Sequence, residues 1–390
     1  MFTKECSVMD RRDFMKLGIA ISAAAPLSKI AFAKDPHHTD NMKPSSNIIE
    51  HVDEETKSLE ELYEEAIIEG GELTVYAGGD TVGQQDGNAN AFRKRFPKMK
   101  LKMNVDFSKF QDARIDLQLK SNTLAADVAH LQELQNYPRW KNEGVLQPYK
   151  PAGFSKVYDK FKDKDGAWVG ICVNAFSNLS NVQLAPNPPV DANDYLDPKW
   201  KDKIILDYPN DDDATQFLFM KVIEIYGWEW LEKFLKQNPI FVRGGQEPVD
   251  QVYSGQKSVA FGVFGDLEVN NTDKARFIIP KTDPFMAWAQ RACMFKQTKH
   301  PAAARLYLNW WLSEEQQKHW YQWPVRTDIK PKGGYKPIWE YPNAYLDEFV
   351  DTMMDRGLME RFRAQLTQYI GEAQGMPSGG IQGRYPDTGH

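Results

Sequence analysis

The side chains of this 390-residue chain that could do chemistry are mostly carboxylates set beside glycines. Asp80 follows Gly78-Gly79, Asp211-Asp212-Asp213 precede Ala214-Thr215, Glu247 follows Gly244-Gly245-Gln246, and Asp266 follows Gly265. Such oxygens can face a cation, and they can equally cap helices or sit solvated in loops. The D-x-D-x-D-G spacing of a calcium loop is missing. Nucleophilic chemistry has less to work with, since there is no G-x-S-x-G and no H-E-x-x-H. His130 near Glu133 could act as a base, but a histidine inside the apolar run 126–131 fits a buried, hydrogen-bonded side chain better. His37-His38 could bind metal, although their polar surroundings read as a solvated tail. No enzyme and no cofactor are expected.

The elements that would position these residues alternate. Ser58-Leu59-Glu60-Glu61 is a capping box opening a helix to about residue 69, which Gly70-Gly71 ends. Strands at 72–77, 100–105 and 126–131 alternate with helices at 89–96, 110–119 and 137–143. Strands separated by helices of this length imply an α/β fold with parallel sheets covered on both faces. A strand at 168–173 and the donor-poor Ala185-Pro186-Asn187-Pro188-Pro189 mark a change of character. A second set follows, with strands at 203–207, 240–242 and 258–261 and helices at 214–226, 228–235 and 247–253. A further strand and a long helical tail are expected from 276 onward.

With 42% hydrophobic and 26% charged residues and a mean hydropathy of −0.58, the chain is that of a soluble globular protein of two-domain size. Its 48 basic and 54 acidic residues leave a net charge of −6, without the basic excess of a nucleic-acid binder. The N-terminus carries charged residues 9–16, a weakly apolar run at 17–26 and Ala31-Phe32-Ala33. These are the parts of an export signal over 1–33, too short to span a bilayer. Arg11-Arg12 with Phe14 and Lys16 resembles a twin-arginine signal, which implies a periplasmic protein. Residues 34–56 read as a flexible leader, and the glycine-rich end over 375–390 as an exposed tail. Of three cysteines, Cys6 falls in the signal; Cys172 and Cys293 can either pair or serve as small buried hydrophobes.

Several segments together resemble the periplasmic solute-binding proteins of ABC importers, in the two-lobed type 2 fold of ferric-ion, phosphonate, sugar-phosphate and thiamine binders. They are Leu73-Thr74-Val75-Tyr76, Ala126-Asp127-Val128, Gly166-Ala167-Trp168, Pro198-Lys199-Trp200-Lys201-Asp202-Lys203-Ile204 and Tyr253-Ser254-Gly255-Gln256 with Lys257-Ser258-Val259-Ala260. His300-Pro301-Ala302-Ala303-Ala304, with Trp311-Leu312-Ser313-Glu314-Glu315-Gln316 behind it, and Pro324-Val325-Arg326-Thr327-Asp328 complete the set in order. The resemblance implies two doubly wound lobes joined by two crossing strands: lobe 1 at 70–173 plus 276–390, and lobe 2 at 174–275. It also implies a cleft that closes on a small polar solute or metal ion, and delivery to an ABC permease in the inner membrane by a monomer. A sensor docking on a membrane receptor would use the same closing motion.

In that architecture the cleft is built from loops after strand ends and from helix N-termini. This selects Gly79, Asp80, Gln132, Asn174, Asp213, Thr215, Gln246, Glu247, Phe264 and Asp266 as ligand-binding candidates, with Asn174 at the first crossing and 263–266 at the second. Gly262-Val263-Phe264-Gly265 stands where ferric-ion binders carry adjacent tyrosines, which counts against a bare ferric site. Three aspartates at the lobe 2 helix start count against phosphate. The acidic residues then either converge on a cation or amine, or act as caps around a polar organic molecule held by Gln132, Asn174 and Gln246. Trp288 is a further candidate for stacking on a ligand.

Overall fold

The computed structural model describes residues 52–268 and 274–375. The expected export signal, nearly all of the leader and the C-terminal tail from 376 lie outside the described residues. Helix α1 (Leu59–Glu69) starts on the expected capping box: Ser58 Oγ accepts the Glu61 N–H at 3.2 Å and Glu61 Oε2 accepts the Ser58 N–H at 2.8 Å. Strands β1 (Glu72–Gly78), β2 (Lys100–Asp106), β3 (Val128–Leu131) and β4 (Leu146–Gln147) alternate with α2 (Asp86–Arg95), α3 (Ser108–Ser121) and α4 (Asn136–Asn142). β1 lies between β2 and β3 and is parallel to both. Leu73, Val75, Tyr76 and Ala77 are all buried, as a strand covered on both faces requires.

The long strand β5 (Val169–Asn181) belongs to two half-sheets. The second contains β6 (Ile204–Asp207), β7 (Ile240–Val242), β8 (Val259–Val263) and β9 (Ala275–Ile278), with helices α5 (Asp213–Tyr226), α6 (Trp228–Leu235) and α7 (Gln246–Ser254). Val169 to Phe176 pair antiparallel with β10 (Met286–Phe295) in the first half-sheet, and Ser177 to Asn181 pair with β8 and β9 in the second. β5 continues eight residues past its expected end at 173, through Asn174, Ser177, Asn178, Ser180 and Asn181. Polar side chains are tolerated there because backbone carbonyls accept from them: Ser177 Oγ donates to Ile278 O, Asn178 Nδ2 to Val190 O and Asn181 Nδ2 to Val252 O.

Two parts of the lobe assignment need correction. β9 pairs with β5 in the second half-sheet, so the chain recrosses between Ile278 and Met286 and not at 263–266. The tail begins with α8 (Pro301–Leu312) and α9 (Glu314–His319) on the first half-sheet side, where Leu306, Tyr307 and Trp310 pack with Phe92 and Phe96. Its last helices, α10 (Leu346–Met354) and α11 (Arg356–Ile370), join the other core. Phe349, Met353, Met359, Phe362 and Leu366 recur at helical spacing and pack with Phe217, Leu218 and Trp230. Helix α11 therefore sits against α5 of the second half-sheet, while α10 lies between the two, with Phe349 near Trp288 of β10 as well as Phe217 of α5, against the expectation that all of 276–390 builds the first lobe.

Cys172 and Cys293 are free and buried, and they belong to different packing clusters. Of their two expected fates, that of small buried hydrophobes is the one observed. No helix among the described residues is long and apolar enough to cross a membrane.

Candidate functional site

Between the half-sheets lies a cavity of about 150 Å³, walled by strand ends and helix starts from both sides. Gly78 and Gly79 close β1, and glycine is required there by the first half-sheet itself: a Cβ on Gly78 would meet Ser108 Oγ at 2.3 Å, and one on Gly79 would meet Val105 at 2.6 Å. The turn delivers Asp80, whose Oδ2 accepts the Gly245 N–H at 2.8 Å from the opposite side. Gly244, at φ +80°, allows this approach, since its own Cβ would stand 2.9 Å from Asp80.

Two more contacts cross the cavity. Lys109 Nζ reaches Asp211 Oδ1 at 2.8 Å, and Gln132 Nε2 reaches Asp212 Oδ2 at 3.4 Å. The aspartates at the start of α5 have three different tasks. Asp211 is paired with Lys109 and, at 3.3 Å, with Arg243. Asp212, and not Asp213, is the helix cap, accepting the N–H groups of Ala214 and Thr215 at 2.8 and 2.9 Å. Asp213 is gripped by Arg356 and Arg363 of α11, each at 2.8 Å.

Six of the ten candidates line the cavity: Gly79, Asp80, Gln132, Asn174, Asp213 and Phe264. The other four do not. Thr215 is fully buried and donates to Asp207. Gln246 and Glu247 are engaged along α7 with Asp250 and Gln251, and Asp266 accepts the Glu268 N–H. Gln246 and Glu247 point elsewhere because Gly244 and Gly245, not the first residues of α7, make the close approach.

Sequence reasoning missed Lys109 and the two arginines of α11, because nothing in their spacing reveals that distant elements meet here. It also missed Gln290, which accepts from Trp288 Nε1 at 3.0 Å and donates to the His130 carbonyl at 3.2 Å. Trp288 stands edge-on to Phe176 at 5.1 Å and, with Phe264 and Tyr321, forms an aromatic wall.

The cavity is acidic. Withdrawal from water, with Asp212 opposite, raises the Asp80 carboxyl to about 6. Burial raises Glu133, with Asp213 and Asp112 adding to it. Burial also lowers His130 to about 3, so its imidazole is neutral, and raises the Cys172 thiol well above its ordinary value. Neither is poised as a base or a nucleophile at neutral pH. Among the described residues, no three His, Cys, Asp or Glu side chains are arranged to hold a metal ion.

A protein-family model described as a bacterial extracellular solute-binding protein matches residues 128–322, which span β3, the strand β5 shared by the two half-sheets, the return crossing between Ile278 and Met286, and most of the cavity wall. The chain belongs to this family. Solved structures share the type 2 periplasmic-binding fold of this solute-binding protein. Iron-bound HitA from Pseudomonas aeruginosa is 18% identical, with 76% of this chain and 99% of that one covered and a TM-score of 0.58. AfuA from Actinobacillus pleuropneumoniae, with fructose 6-phosphate bound, is 17% identical over 78% and 100%, with a TM-score of 0.60. The substrate-binding protein of an ABC transporter from Agrobacterium tumefaciens is 13% identical over 77% and 94%, with a TM-score of 0.61. A search of curated protein sequences gave no match.

Proposed function

We propose that this solute-binding protein is exported by its twin-arginine-type signal, captures a small polar solute in the cavity between its lobes, and presents the closed form to an ABC permease. It acts as a binder and not as a catalyst. Lobe 1 is taken as the first half-sheet with its helices, and lobe 2 as the second half-sheet with α11, α10 lying between them. The observation that carries the reading is the set of three contacts across one polar cavity, from Asp80 to Gly245, Lys109 to Asp211 and Gln132 to Asp212. Groups contributed from both sides are what a ligand needs in order to favour closure over the open form.

Native mass spectrometry of the full chain, purified from its own export compartment without added solute, tests the reading. A small added mass that is lost on denaturation is expected. A bare mass would count against tight capture.

A further inference from the structure

We propose that the chain holds one small monovalent anion, of chloride size, in a second cavity between Arg291 of β10 and the first turn of α10. Trp288 lines both this cavity and the larger one, so the anion sits behind the aromatic wall and its site stands whether or not a solute binds in front.

A buried charge without a counter-charge points to it. Two arginines are buried among the described residues, each 7% exposed. Arg326 is matched by both oxygens of Asp328, at 2.9 and 2.7 Å. Arg291 has no such partner: its Nη1 donates to the Leu134 carbonyl at 2.6 Å, and its guanidinium stands 5.2 Å from the Trp168 ring. Neither of these is charged, and Nε and Nη2 have no hydrogen-bond partner among the described residues. Burial lowers the group only to about 10, so it keeps its charge at neutral pH. Asp163, whose charge it feels, is taken up by Lys141 at 2.7 Å. A guanidinium so withdrawn from water is costly to leave unmatched.

Arg291 lines a cavity of about 20 Å³ together with Lys160 and, from α10, Leu346, Asp347 and Val350. The helix adds an independent feature. Tyr345, before its first residue, sits at φ +49° and gives no side-chain cap, and the N–H groups of Leu346, Asp347 and Glu348 have no acceptor among the described residues. Open donors at a helix start favour negative charge. The charged groups facing the cavity are Arg291, Lys160 and Asp347, and the last two pair with each other. Both are more than half exposed, so theirs is a surface pair and one buried positive charge is left over. A single water needs about 10–15 Å³ of such space, so the cavity takes one chloride-sized ion and is too small for sulfate or phosphate. A water would fill it without matching the charge. Since α10 lies between the two half-sheets, an anion here braces it against β10.

The test is thermal shift on the full exported chain in sodium gluconate at about 0.2 M, with gluconate replaced stepwise by chloride, bromide or sulfate at equal ionic strength. Chloride and bromide are each expected to raise the melting temperature saturably, by roughly 2–4 °C, and sulfate is not. Arg291→Met is expected to abolish the rise. Bromide-soaked crystals of the unsubstituted chain, which do not depend on that variant folding, should show an anomalous peak within hydrogen-bond reach of Arg291 Nε or Nη2.

An equal rise with all three anions, or none with any, overturns the proposal, because screening or a bound water then accounts for Arg291. A saturable rise that survives in Arg291→Met overturns it too, as does a cavity without a bromide peak. A bromide peak in the cavity with no melting shift marks an adventitious ion only, and rejects the site as one occupied in solution.

Discussion

Asp80 Oδ2 and the Gly245 N–H meet at 2.8 Å across the cavity, and Gly244 beside them has φ +80° with no room for a Cβ on the Asp80 side. The two sides of the cavity are thus joined here by a side-chain-to-backbone hydrogen bond that a side chain at 244 would obstruct. Gly244→Ala is expected to cost about 1–2 kcal/mol from the left-handed backbone alone, and to hold the lobes apart through the clash. Small-angle scattering should give a larger radius of gyration than wild type. An unchanged radius, with the melting temperature also unchanged, would mean that this contact does not set the closed geometry.

The titration of Asp80 gives a second expectation, and its sign follows from the direction of the shift. A carboxyl held at about 6 in the folded chain, above its ordinary value, binds protons preferentially in the folded state between about pH 4 and 6. Its contribution to stability therefore falls as pH rises through that window. The groups facing it are Asp212 and Asp211, which raise it, and the Gly245 and Gln246 N–H groups, which lower it. Asp80→Asn should stabilise the unliganded chain by roughly 1–2 kcal/mol at pH 7.5, and by much less at pH 4.5. Denaturant midpoints at the two pH values check this; an equal effect at both would show that Asp80 is not strained by charge.

Much of the framework was legible because it is local. The capping box at Ser58, the helix over Trp228–Leu235 and the strand over Ile240–Val242 follow from spacing within a few residues. So does the turn that carries Asp80. The polar half of β5 was not legible, since Asn178 and Asn181 look like loop residues until the carbonyls of Val190 and Val252 are placed beside them. At the start of α5 the sequence shows three adjacent aspartates, but which one caps and which ones pair depends on Arg243, Lys109 and α11. Those partners lie about thirty to one hundred and fifty residues away, beyond the reach of any spacing argument.

The cysteines give an inexpensive check on the core. Cys172 and Cys293 are 3% and 1% exposed, and burial raises both thiols, so little thiolate is present at neutral pH. Neither should be alkylated by iodoacetamide in the native protein, while both should react after denaturation. Reductant should leave the melting temperature unchanged. A fall in melting temperature with dithiothreitol would reveal a disulfide and contradict the observed packing.

The last expectation concerns the clamp on α5. Asp213 is 7% exposed, and Arg356 Nη1 and Arg363 Nη2 each hold one of its oxygens at 2.8 Å. Both arginines project from α11, whose Met359, Phe362 and Leu366 are buried with the core of the second half-sheet. Removing one arginine leaves the buried carboxylate half matched, at a cost of about 1–3 kcal/mol. Removing both strands the charge, at about 3–5 kcal/mol. If the cost lies in the stranded charge and not in lost packing, adding Asp213→Asn to Arg356→Leu/Arg363→Leu should recover most of the loss, because a neutral amide has far less to lose from burial. Urea denaturation of the single, double and triple variants separates the two cases. Recovery in the triple variant would assign the arginines to charge balance at the cavity rim, whereas no recovery would assign them to anchoring α11 through their aliphatic stems.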